Sequence, residues 1–247
     1  MTTPAKIILR IPGPWPERID IITSVAKSRT GYLFADDLVY NTRTLQTFST
    51  LVGGFLPEME VAFTSFSTGN IDEQTLEAIR KHVHSLYFTT PAYTPNDARA
   101  AMRAADALLI SGGIAILVES SGVVHTAPEW HALYARSDTD NSALYEAFVS
   151  RMVDGPNRTY YTCGMHNMGK RDAILTGNLI AVNAPALVRH FLLHTLDTED
   201  EIEPGHTFSA TGDHPAYKVT PEPCTTFPPG NVYHNPHGMW RLETLAT

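Results

Sequence analysis

Cysteine is scarce in this chain: Cys163 and Cys224 are the two among 247 residues. That excludes a disulfide scaffold and a cysteine-rich zinc site, and one bridge is possible but not implied. Long apolar runs are missing. No segment approaches the ~20 apolar residues that span a bilayer. The run from Ile7 to Ile11 is too short for a signal-peptide core and is interrupted by Arg10. The expected location is the cytoplasm, with no membrane partner. Positive charge is in deficit, with 18 Lys and Arg against 26 Asp and Glu and a formal net charge of −8. Nucleic-acid binding needs a basic face that neutralises phosphates, so this balance argues against it as a main activity. A basic protein partner fits the charge, and so does simple solubility. Phosphate-cradling loops are missing too. There is no Gly-x-Gly-x-x-Gly and no Walker loop, and Ser111-Gly112-Gly113 is too short to serve as one, so no cofactor is expected. No internal repeat or low-complexity tract is present.

What remains is a core-forming composition, 43% hydrophobic and 18% charged, enough for one large domain or two small ones. Ile7 to Ile11 reads as a strand ended by Pro12-Gly13-Pro14. A helix follows on Ile19, Ile22, Val25 and Ala26, closed by Gly31. Tyr32 to Tyr40 and Leu45 to Leu51 read as extended, Leu56 to Phe66 and Asp72 to Lys81 as helices, and Val83 to Thr89 as a strand. Asn96 is the expected cap of a helix whose apolar face is Ala98, Ala101, Met102, Ala105, Leu108 and Leu109, ended by Gly112-Gly113. Ile114 to Val118 reads as a buried central strand. Thr126-Ala127-Pro128-Glu129 is a capping box that opens a short helix. Leu144, Tyr145, Phe148, Val149 and Met152 mark another, and Asn183 caps the last. Tyr160 to Cys163, His206 to Ala210, Ala216 to Thr220 and Met239 to Leu245 read as strands. Residues 221 to 238 hold five of the 17 prolines, which predicts a functional loop or conceals a strand. The expected fold is α+β, a mixed or antiparallel sheet with helices packed on one face. Two subdomains, 1–136 and 137–247, or one continuous domain, fit the pattern.

Four constellations could carry chemistry. Cys163 and His166 stand three apart around Gly164, and Asp172 could orient the imidazole. Cysteine hydrolases, however, draw their pair from distant segments. The 11 histidines include His82-x-His84, His190 with His194, and His234-x-x-His237, but Phe191 replaces the glutamate of a zinc-protease motif and no metal is expected. Glu119-Ser120-Ser121-Gly122-Val123-Val124-His125 follows the presumed central strand and brings an acid, hydroxyls and a base together. It lacks a Gly-x-Ser-x-Gly elbow and reads equally as a polar turn. Asp197, Glu199, Asp200, Glu201 and Glu203 place five carboxylates in seven positions at a helix C-terminus. Negative charge there opposes the macrodipole at a cost of a few tenths to ~1 kcal/mol, so the run serves either solvation or a cationic partner.

Three blocks carry a resemblance: Ile11-Pro12-Gly13-Pro14-Trp15, Gly112-Gly113 through Glu119-Ser120-Ser121-Gly122 to His125, and Thr162-Cys163-Gly164-Met165 with Gly169 and Asp172. Together they resemble an uncharacterised bacterial domain-of-unknown-function family with a Gly-Met signature in its C-terminal half. Some of its members accompany secreted-toxin systems such as type VI secretion. The resemblance implies an immunity role and carries over no catalytic residue. The expectation is thus a non-catalytic immunity protein that occludes a cognate toxin's active site through Asp197 to Glu203. The alternative is a hydrolase using His125 or His166 with a nearby carboxylate, drawing on Glu119, His125, Cys163, His166 and Asp172. A scaffold protein that binds through the 221–238 loop is a third class.

Overall fold

The structure, a computed structural model, describes residues 5–66, 71–154, 159–176, 183–198, 202–209 and 216–245. It is α+β, with two sheets. The first is fully antiparallel and is built from β1 (Lys6–Gly13), β2 (Tyr32–Ala35), β3 (Leu38–Asn41), β4 (Thr47–Gly53), β5 (His84–Pro91), β6 (Ala115–Val118) and β7 (Val123–Thr126), in the order β2-β3-β4-β5-β1-β6-β7. The second contains β8 (Ser150–Asp154), β9 (Thr159–Cys163), β10 (Asp172–Thr176), β11 (Thr207–Phe208), β12 (Tyr217–Glu222) and β13 (Met239–Thr244), in the order β11-β12-β13-β10-β9-β8. Its β10–β13 pair is parallel and its other pairs are antiparallel.

Alternation along β1 sends Ile7, Leu9 and Ile11 into the core. Against that face lie α1 (Arg18–Ser28) and α4 (Pro95–Ile110). Helix α4 starts at Thr94, not Asn96. The Thr94 hydroxyl accepts from the Asp97 amide, and the Asp97 carboxylate accepts from the Thr94 amide. Such a cap contributes about 1 kcal/mol. Ala104 and Ala107 are buried as well as the apolar stripe, so α4 is enclosed on more than one side. Its alanines let β1, α5 (Ala127–Arg136) and α6 (Asn141–Phe148) approach closely.

Helices also cover the opposite face at the β6–β7 end, where α2 (Glu58–Phe66) and α3 (Glu73–Arg80) bury Met59, Phe63 and Ile79 on Ala115 and Val124. This corrects the expectation of one covered face. Residues 32–40 form a hairpin, not one strand, because Asp36 adopts a left-handed φ of 49° and reverses the chain. Residues 150–152 leave the expected helix and pair with β9. Strand β6 is buried on both faces but lies next to the edge strand, not at the centre.

One hydrophobic core runs from Ile7 in the first sheet, through Trp130 and Phe148, to α7 (Ala184–Asp197) and Leu242 in the second. A 3-10 turn at Met165–Met168 plugs it against α4, α6 and β1. Two glycines make that turn possible. Gly164 has φ 130° and Gly169 has φ 70°, and a Cβ on either would lie about 2 Å from a backbone carbonyl oxygen, that of Phe148 or Tyr93. Gly164→Ala is therefore expected to lower stability by about 2 kcal/mol or more, read as a shift in the urea midpoint.

Candidate functional site

The two segments singled out by their chemistry, 119–125 and 160–172, pack against each other at the seam of the two sheets. Strand β9 ends at Cys163, Gly164 turns the chain into the 3-10 turn, and β10 begins at Asp172. The β6–β7 turn meets them. The Ser120 hydroxyl donates to Asn167 Oδ1 at 2.7 Å, and the Cys163 thiol lies 3.8 Å from the Ser120 carbonyl and 3.5 Å from that of Tyr233.

At the centre is Asp172, 2% exposed. Its carboxylate accepts from the Thr162 hydroxyl (3.0 Å), the Gly164 and Met165 amides (3.4 and 3.2 Å) and Asn235 Nδ2 (2.7 Å). The Thr162 oxygen in turn accepts from the Ala173 amide. A buried carboxylate is tolerated when donors surround it, and these come from β9, the 3-10 turn and the 223–238 strap. Asn235 also donates to the Lys170 carbonyl and its Oδ1 accepts from the His237 amide, so it fastens the strap. Nothing local in sequence marked Asn235. The signal was the proline density around it.

His166 is buried beside this centre, with Nδ1 3.8 Å from Asp172 Oδ2, beyond hydrogen-bond reach. Among the described residues neither of its ring nitrogens has a hydrogen-bond partner, nor have Asn167 Nδ2 and Ser121 Oγ. Burial pushes the Cys163 thiol far up, and the neighbouring Asp172 charge adds to that. A thiolate nucleophile is thus disfavoured.

The other two candidates stand apart from this cluster. Glu119 grips Arg10 with both oxygens, at 2.5 and 2.7 Å, and that guanidinium lies over the Tyr87 ring. His125 packs on Trp130 and its Nε2 donates to the Ala147 carbonyl at 3.0 Å. The structure brings Cys163, His166 and Asp172 together and does not add Glu119 or His125 to them.

The histidine pairs serve the backbone or stand in solvent. His82 Nδ1 donates to the Ile79 carbonyl while Nε2 accepts from the Leu56 amide, and His84 contacts the Trp15 carbonyl. His234 contacts the Phe227 carbonyl, His190 is exposed, and exposed His194 flanks Phe208. Among the described residues no group of three or more His, Cys, Asp or Glu is placed to hold a metal ion, and no helix is long and apolar enough to cross a membrane.

Of the acidic run, Glu199, Asp200 and Glu201 lie outside the described residues. Asp197 ends α7 and accepts from Asn141 Nδ2 at 2.8 Å, while Glu203 is exposed near His206.

No family model, curated protein or solved structure matches this chain. The site's meaning therefore rests on its own geometry.

Two outcomes follow. In the folded protein iodoacetamide labels half-buried Cys224 while Cys163 stays unlabelled until denaturant is added, as read by mass spectrometry. Burial lowers the affinity of His125 for its proton below the ordinary value of 6.5, against a smaller opposing effect of the Ala147 carbonyl. The unfolded chain then binds that proton more readily, so stability falls as pH drops below that value. Replacing it, as in His125→Gln, is expected to shrink the loss of stability between about pH 7.5 and about pH 5.5, measured by chemical denaturation.

Proposed function

We propose that this chain is a non-catalytic binding protein, and that it acts as an immunity protein occluding the active site of a cognate secreted bacterial toxin. One observation carries the first half. The residues with the most chemical capability, Cys163, His166 and Asp172, are at most 2% exposed and lie within the joint between the sheets. A reacting group must reach its substrate, and these face protein. The formal charge of −8 and the acidic run from Asp197 to Glu203 support a cationic partner surface. The sequence resemblance supports the toxin.

The test is pairwise co-purification with the candidate toxins encoded beside the gene, followed by stopped-flow association. A stoichiometric complex is expected. Reversing charge at Glu199, Asp200 and Glu201 together should slow association about tenfold or more at low salt and flatten its salt dependence. Failure of every candidate to bind would reject the immunity role, and unchanged kinetics would remove the acidic run from it.

A hydrolase built on His166 and Asp172 is the second reading. It is favoured by the two unpartnered ring nitrogens of His166 next to a carboxylate. It requires the 223–238 strap to lift. Alkylation of Cys163 as fast as that of Cys224 in the folded protein would favour this reading over the first.

A further inference from the structure

A cleft of about 700 Å³ opens where β7, α5, α6, β8 and α7 meet. That is within the size range of small-ligand sites, about 300–1,000 Å³. Three arginines from three elements line it: Arg136 of α5, Arg151 of β8 and Arg189 of α7. Two carboxylates line it as well, but both are committed. Glu129 caps α5 through the Thr126 amide and hydroxyl. Glu146 is held between Arg136 at 2.7 Å and Arg189 at 3.2 Å. Among the described residues Arg151 pairs with no carboxylate.

Beside Arg151 is an unused donor. Tyr145 lines the cleft and is 2% exposed, and among the described residues neither its hydroxyl nor that of Tyr160 has a hydrogen-bond partner. Burial pushes the pKa of both phenols up, that of Tyr160 to about 12, against the opposing charge of Arg151, so each keeps its proton to donate. Both hydroxyl oxygens are sealed from solvent; an acceptor that reaches the Tyr145 hydroxyl as the cleft wall shifts offsets the about 1–3 kcal/mol that a buried hydroxyl without a partner costs. Val123, Leu133 and Val149 give the wall an apolar part, and Ser65, His125 and Ser150 line it too.

We infer that this cleft binds a small amphiphilic anion, its carboxylate or phosphate-monoester head on Arg151 and the Tyr145 hydroxyl and its apolar body against Leu133 and Val149. A guanidinium with a neutral donor recognises an oxyanion; among the described residues Arg151 has no ion-pair partner and the Tyr145 hydroxyl no hydrogen-bond partner, while the Tyr145 ring packs in the core under Arg189. The arrangement is independent of the sealed seam and of the acidic run, so it stands whether or not the chain neutralises a toxin.

The test is isothermal titration calorimetry of the full chain with inorganic phosphate, phenyl phosphate and benzoate. Saturable one-to-one binding of phenyl phosphate or benzoate is expected, tighter than that of inorganic phosphate. The stronger of the two identifies the head group. Arg151→Ala should weaken that binding by about tenfold or more, the loss of one charge-assisted contact, and Tyr145→Phe should weaken it less. Arg151 is exposed and the Tyr145 hydroxyl is unpartnered, so both variants should fold, checked by thermal melting. Absence of saturable binding by the organic anions, inorganic phosphate binding as tightly as they do, or affinity that survives Arg151→Ala would overturn the proposal.

Discussion

The fold depends on the buried carboxylate of Asp172. Its four donors come from a strand, a 3-10 turn and a strap that are separated in sequence by up to 73 positions, Thr162 to Asn235. A charge taken out of water is costly unless its acceptor sites are filled, and then it resists any rearrangement that would empty them. The group therefore specifies geometry. It fixes the Gly164 turn, and with it the approach of β9 to the Phe148 carbonyl and to the β6–β7 turn. Through Asn235 it fixes the strap that closes the second sheet.

This explains why the segment richest in reactive residues is also the most enclosed. Cys163, His166 and Asn167 cluster because two sheets and a strap converge there, and polar side chains are what join irregular backbone. The amide and hydroxyl of neighbouring residues occupy the carboxylate oxygens, leaving His166 close to Asp172 but unbonded. Chemistry that sits near the surface is arginine-based instead, in the cleft formed by the helices that link the sheets. The molecule thus keeps its buried joint inside and its arginine cluster at the surface.

Local signals were legible in the sequence. The Thr126/Glu129 capping box places α5 within four residues of chain, and the alternation of Ile7, Leu9 and Ile11 places β1. Non-local pairing was not legible. Leu144, Tyr145 and Phe148 recur at helical spacing and Met152 continues the pattern, yet β8 starts at Ser150 because β9 offers it a partner that no window of α6 reveals. Thr94 and Asn96 are both good caps, and the carboxylate of Asp97, three residues from Thr94, decided between them. At the site, the juxtaposition of 119–125 with 160–172 needed the three-dimensional structure, although both had been singled out. Proline density marked the loop that holds Asn235 but not the residue itself, since one asparagine in a proline-rich loop is ordinarily a turn residue. Arg151 gave no pattern, and Tyr145 read only as one position of an apolar helix face, because what sets them apart is the partners they lack.

The central claim is that the Asp172 centre is a closed structural joint. Native-state hydrogen exchange tests it most directly, by following the Gly164, Met165, His237 and Gly238 amides. If the joint holds as one unit, all four exchange together at the free energy of global unfolding. Exchange of His237 and Gly238 orders of magnitude faster than that of Gly164 and Met165 would show the strap lifting on its own, and would contradict the account.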